Sequence, residues 1–147
     1  MSGIAGIVRF DDRGVRRQEL DRVANALHQY GPDKNDVIAQ GNVGLVHALM
    51  RMTPEDRHDQ QPIRGAGGTM ITADLRIDNR DELLGRLSLN RHLVADWSDA
   101  RLLLFAWEKV GDRIFSMLRG PFAVAIWDGS KRSLTLARDH LGLNVLV

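Results

Sequence analysis

The 147-residue chain contains no cysteine. That absence excludes disulfides, thiolate metal ligands and a cysteine nucleophile from the sequence as it stands. No window approaches the roughly 18 apolar residues of a membrane span, and no basic stretch followed by an apolar run marks a leader. Charge of one sign is missing too. Twenty Lys and Arg stand against 19 Asp and Glu, a formal charge of +1, so no bulk attraction to nucleic acid or anionic lipid is implied. A glycine-rich phosphate loop of the Walker type is also lacking, because Gly65 to Gly68 is not followed by the lysine that would make it one. The five histidines, His28, His47, His58, His92 and His140, show no His-x-x-x-His spacing, which argues against a zinc site. Nucleic acid, membrane and metal thus drop out as expected partners, and the cytoplasm is the expected compartment.

What is there is an ordinary globular composition, 44% hydrophobic and 27% charged. A chain of this length fits one domain, 1–147, in which roughly 70% of the unfolded surface can be buried. Ile4 to Phe10 reads as a buried strand, and Leu20, Val23, Ala24 and Leu27 recur at helical spacing within Arg16 to Tyr30, stopped by Gly31-Pro32. Val37 to Ala39 and Val43 to Leu49 read as a hairpin around Gly41-Asn42. The polar stretch Arg51 to Gly68 reads as a long loop, a length that usually has a task.

Thr69 to Asp74 is a further strand. Asn79 with Glu82 predicts a capping box for a helix over Arg80 to Leu87, and Ser98 predicts a cap for a second helix ended by Gly111. Pro121 to Trp127 and Ser133 to Ala137 flank the turn Asp128-Gly129-Ser130-Lys131. The pattern is α+β with hairpins, not strict βαβ alternation, and two stacked sheets covered by helices would accommodate it. The apolar run Leu143 to Val147 reads as a strand cut short, so a further domain is expected beyond it. Trp97, Trp107 and Trp127 are too scattered for a nucleic-acid stacking platform and read as packing residues, while Arg16-Arg17 reads as a solvated helix face.

Five ordered segments carry a resemblance: "SGIAGIVRF" from Ser2, "YGPD" at Tyr30 to Asp33, "IDNRDEL" at Ile77 to Leu83, "GPFAVAIWD" at Gly120 to Asp128 and "LARDHLG" at Leu136 to Gly142. Together they resemble the amidotransferase domain of asparagine synthetases, over essentially the whole chain. The resemblance implies a class II glutamine amidotransferase, an N-terminal-nucleophile hydrolase with a four-layer αββα sandwich. In that family a processed N-terminal cysteine attacks glutamine, and the ammonia passes to a C-terminal synthetase domain that uses ATP and Mg²⁺. The domain itself is expected to need no cofactor. Its expected partner is the synthetase domain of the same chain, and a peptide or small-molecule substrate and a homodimer stay open.

An N-terminal nucleophile can use its own α-amine as general base, since that amine titrates near ~8 and is partly neutral at physiological pH. Here the nucleophile's position is Ser2. It reads as an N-terminal serine hydrolase, as a small residue kept for packing, or as a substitution that silences a cysteine. The family's arginine clamp for the substrate carboxylate, two residues after its histidine, falls on Leu49 in His47-Ala48-Leu49-Met50, and an aliphatic side chain cannot hold a carboxylate. Arg51 would share Leu49's face if Val43 to Met52 were one strand. The family's Asn-Gly-Glu, which builds the oxyanion site and holds the substrate amine, falls on Asp74-Leu75-Arg76, where the acceptor has become the cation Arg76. Asp99 matches the family aspartate that also contacts the substrate amine, although a carboxylate at a helix N-terminus has a structural reason as well. The histidine of Asp139-His140 reads as a turn residue.

Three departures point one way, toward a degenerate glutaminase serving as scaffold, the pattern of β-lactam synthetases and lasso-peptide cyclases. The other readings are an asparagine synthetase domain with serine for its cysteine, and a free-standing serine amidohydrolase.

Overall fold

The computed structural model describes residues 2–11, 13–52 and 54–144, the side chains of residues 54 and 55 aside. Among the described residues, seven strands and four α-helices follow one another in two groups. The first group is β1 (Gly3–Val8), α1 (Arg17–Leu27), β2 (Lys34–Gln40) and β3 (Val43–Leu49). Its three strands form an antiparallel sheet in the order β1-β3-β2.

Central strand β3, Val43-Gly44-Leu45-Val46-His47-Ala48-Leu49, is buried at every residue, which is why it is apolar at every position but His47 instead of alternating. Val46 packs with Leu20 and Ala24 of α1. Val43 and Leu45 point the other way and meet Met70 and Trp127 of the second sheet. Small residues set the close approaches: a Cβ at Gly31 would lie 2.0 Å from the Ala48 carbonyl oxygen, so the chain leaving α1 can cross β3 only as glycine.

The second group is β4 (Ile63–Arg64), β5 (Met70–Leu75), α2 (Arg80–Arg86), α3 (Asp99–Val110), α4 (Ile114–Met117), β6 (Phe122–Asp128) and β7 (Ser133–Arg138). Its strands form a four-stranded antiparallel sheet in chain order, β4-β5-β6-β7. Ile71 and Ala73 of β5 and Val124 and Ile126 of β6 share one apolar cluster with Leu83, Leu102, Leu103 and Ile114 of the helices. The opposite face of β5 carries Met70, Thr72 and Asp74 toward the first sheet, where Thr72 Oγ1 donates to the Val46 carbonyl at 3.1 Å. Helices, sheets and turns are thus of the α+β type.

Several expectations shift. The strand expected over Ile4 to Phe10 runs Gly3–Val8, and the helix expected over Arg16 to Tyr30 ends at Leu27. The polar stretch Arg51 to Gly68 contains two short 3-10 turns, Pro54–His58 and Ala66–Gly68, and the edge strand β4. The capping box at Asn79 does not form. The Asn79 side chain instead accepts from the Arg119 N–H at 2.9 Å and donates to the Met117 carbonyl at 2.9 Å, which ties the start of α2 to the end of α4. Ser98 does cap α3, accepting from the Arg101 N–H at 3.3 Å, and Gly111 ends that helix at φ +65°. Leu143 and Asn144 are not in a strand, and the rest of the expected Leu143 to Val147 run lies outside the described residues.

Candidate functional site

A cavity of about 870 Å³ opens where the start of β1, the end of β5 and the N-terminal ends of α2 and α3 converge. Its walls include Ser2, Met50, Gln61, Asp74, Arg76 and Asp99. All four residues that the sequence marked for the site, Ser2, Asp74, Arg76 and Asp99, therefore meet in one place.

Ser2 precedes β1, whose first pair, Gly3 with Ala48, fixes the backbone beside it. Its backbone N–H donates to Asp74 Oδ1 at 3.0 Å, and its hydroxyl oxygen accepts from the Met50 N–H at 3.1 Å. The hydroxyl is held by the strand end that follows β3, at the rim of the cavity. Asp74 sits on the inter-sheet face of β5. Burial pushes its carboxyl above the usual range, the Ser2 N–H pulls it back down, and nearby Asp56 pushes it further up.

Beneath Asp74 lies a buried polar floor. Gln61, 3% exposed, donates to the Ala73 carbonyl at 2.8 Å and accepts from the Ala73 N–H at 2.6 Å, taking both backbone groups of a residue in β5. The same amide donates to Asp59 Oδ2 at 2.9 Å and lies 3.2 Å from His47 Nε2. Burial raises the Asp59 carboxyl, against the Gln61 hydrogen bond, and burial lowers His47 to about 4, against its bond to Ala73. His47 is therefore neutral at ordinary pH and belongs to the floor.

Asp99 is the first residue of α3. Its carboxylate accepts from the Ile77 N–H at 2.8 Å and pairs with Arg80 of α2 at 2.5 Å, whose other nitrogen donates to the Trp97 carbonyl at 2.7 Å. The guanidinium of Arg80 thus occupies one face of the Asp99 carboxylate. Arg76 pairs with Asp78 through Nε at 2.6 Å and stays largely solvent-exposed at the mouth, the Asp78 hydrogen bond raising it above its ordinary value.

The residues at the clamp position behave differently. Leu49 is 2% exposed and lies in the core at the end of β3. The suggestion that Arg51 shares its face fails, because β3 stops at Leu49 and Arg51 is exposed, its backbone N–H donating to Asp33 at 2.7 Å. Asp139 is structural. Burial would raise its carboxyl, but the backbone N–H groups of Leu143, Asn144, Phe122 and Leu141 outweigh that and hold it below the usual range, while His140 is exposed.

Sequence reasoning missed Gln61, Asp59, Arg80 and Asn144. Asn144 lines the cavity and donates to the Asp74 carbonyl at 2.9 Å. Only Arg80 stood inside one of the five segments that carried the resemblance. Gln61 had no local signal beyond preceding Pro62 in a polar stretch.

The start of the first strand thus brings the second residue of the chain to the same cavity as Asp74, Arg76 and Asp99. The chain belongs to the glutamine amidotransferase domain family, which matches residues 1–147. It is similar to asparagine synthetase [glutamine-hydrolyzing] 2 of Bacillus subtilis, 30% identical over 153 residues, covering 99% of this chain and 20% of that protein. The asparagine synthetase of Brassica oleracea is 26% identical over 147 residues, covering 99% of this chain and 25% of that protein. Asparagine synthetase 3 of Bacillus subtilis is 29% identical over 148 residues, with 97% and 24% covered. The chain spans about a fifth to a quarter of the length of these curated relatives.

Proposed function

We propose that this chain is the glutaminase-like domain of an ATP-dependent, amide-forming enzyme of the asparagine synthetase family, that it has lost glutamine hydrolysis, and that it serves as a scaffold for the synthetase or peptide-cyclase domain of the same protein. In this reading ATP and Mg²⁺ belong to that other domain, which adenylates a carboxylate before amide formation. The pairing of the two domains is supported by the share of the relatives' length that this chain spans. An αββα layering is supported by the three apolar clusters, one between α1 and the first sheet, one between the sheets and one under α2 to α4.

The observation that carries the loss of activity is the pair of positions that would grip glutamine. The carboxylate clamp is Leu49, buried in the core, and the ammonium acceptor is Arg76, a cation. A free α-amino acid entering this cavity meets no guanidinium at the first and a like charge at the second. Asp99, the acceptor that remains in place, is engaged by Arg80 and the Ile77 N–H. At the reacting end, the carboxylate Asp74 stands where the family places an oxyanion donor, and an ionised carboxylate opposes a developing oxyanion.

A second reading, a glutaminase silenced only by serine in place of cysteine, is favoured by Ser2 and Asp99 both lining the cavity. Glutamine titration followed by backbone amide shifts separates the two. Loss of glutamine binding predicts no saturable shift at Asp74 to Ile77 up to tens of millimolar, where a site with a KM of up to about 1 mM would be full. Saturable shifts there would overturn the scaffold reading.

A further inference from the structure

The Ser2 nitrogen has a partner that an N-terminal nucleophile does not want. We propose that, once Met1 is cleaved from the chain, Asp74 holds the new α-amine of Ser2 as an ammonium ion, withdraws the base that the Ser2 hydroxyl would need, and so silences the site independently of the change of nucleophile. The inference rests on the reading of Ser2 as the family's nucleophile position.

The geometry is already in place. The Ser2 nitrogen lies 3.0 Å from Asp74 Oδ1, and both flanking positions are pinned, Gly3 by its pairing with Ala48 and the Ser2 hydroxyl by the Met50 N–H. Replacing the Met1 peptide bond by a free amine leaves the nitrogen at the same spot and gives it a positive charge to set against the carboxylate. A half-buried pair at this separation is coupled more strongly than the same pair in water. Of the other charged groups lining the cavity, Asp56 and Asp59 favour a cation at Ser2, Asp99 pairs with Arg80, Asp78 with Arg76 and Asp81 with Arg91, and Glu82 adds a further carboxylate. Attack by Ser2 requires the hydroxyl proton to pass to a lone pair on the amine as the oxygen–carbon bond forms. An ammonium has no lone pair to receive it.

The test uses the full chain with Ser2 as its verified first residue. The α-amine is titrated by competitive labelling with acetic anhydride across about pH 6 to 10, read on the N-terminal peptide by mass spectrometry. Asp74→Asn keeps the shape and removes the charge, and Asp74→Ala serves if that variant does not fold. The expected result is a half-labelling pH about one unit or more higher in the unchanged chain than in the variant, equivalent to about a tenfold smaller neutral-amine fraction at neutral pH. Equal half-labelling pH values in the two proteins overturn the inference and leave the loss of the glutamine-gripping residues untouched. Glutamine hydrolysis by Ser2→Cys with Asp74 in place would overturn both the silencing role and the proposed loss of activity.

Discussion

His47 makes the stability of this domain depend on pH in a way that can be worked out beforehand. The imidazole is 2% exposed on the inner face of β3, and burial lowers it from 6.5 to about 4. A group depressed in the folded state contributes stability that is complete above its unfolded value and is lost as the pH falls toward its folded value, because the unfolded chain takes up the proton first. The window therefore runs from 6.5 down to about 4. Each unit is worth about 1.4 kcal/mol, so the full loss is about 3 kcal/mol, of which about 2 kcal/mol is lost between pH 7 and 4.5. That is a large part of a domain stability of about 5 to 15 kcal/mol.

Asp74 and Asp59 shift in the opposite sense. Their carboxyls are raised, so they contribute stability at low pH that is lost as the pH rises through their folded values. Comparing the wild type with His47→Gln cancels them. Urea unfolding of both proteins at about pH 7 and 4.5 should show the wild type losing about 2 kcal/mol more than the variant between the two conditions. Equal losses would mean that His47 protonates in the folded state at an ordinary pH, and the buried setting argued for it beneath Asp74 would then be wrong.

Other perturbations have signs as definite. Gly31→Ala places a Cβ 2.0 Å from the Ala48 carbonyl oxygen, a backbone atom, and should cost about 3 kcal/mol or more by thermal or urea unfolding, whereas Gly85→Ala, with open space around it, should be neutral or stabilising. Gln61→Leu removes the partner of the Ala73 N–H and one of the donors to its carbonyl, which His47 also bonds, and about 1 to 3 kcal/mol of destabilisation is expected, with faster hydrogen exchange at Ala73. Arg80→Ala leaves Asp99 without its cation and the Trp97 carbonyl without a donor, and about 1 to 2 kcal/mol is expected once solvent screening of a partly exposed pair is allowed for. A smaller effect at high salt would confirm the ionic part.

How much of this could be read from the sequence depended on whether the signal was local. β3 was legible to the residue, since a seven-residue run after Gly41-Asn42 that is apolar but for His47 reads as a strand buried on both faces. α3 was legible at both ends, because Ser98 and Gly111 act on their own backbone. The edge strand β4, two residues long, carries no period to detect. Asn79 illustrates a local signal overridden: the Asn and Glu spacing of a capping box is there, yet tertiary contacts from Met117 and Arg119 claim the side chain.

In the site, the motif positions Ser2, Asp74, Arg76 and Asp99 were found through ordered segments and do converge. Gln61 and the Arg80 pairing with Asp99, 19 residues on, depend on how the second sheet and its helices stack, which no stretch of sequence displays. The same limit applied to Arg51, whose side of the strand mattered only if the strand continued past Leu49.

The central claim is that the chain keeps the amidotransferase fold and has lost the chemistry of glutamine hydrolysis. Ammonia release from glutamine by the mass-verified Ser2-first protein and by its Ser2→Cys variant tests it most directly. The account predicts that both remain at the uncatalysed rate, because Leu49 and Arg76 leave glutamine unheld whichever nucleophile stands first. Turnover of glutamine by the Ser2→Cys protein would contradict it and identify an intact glutaminase pocket missing only its thiol.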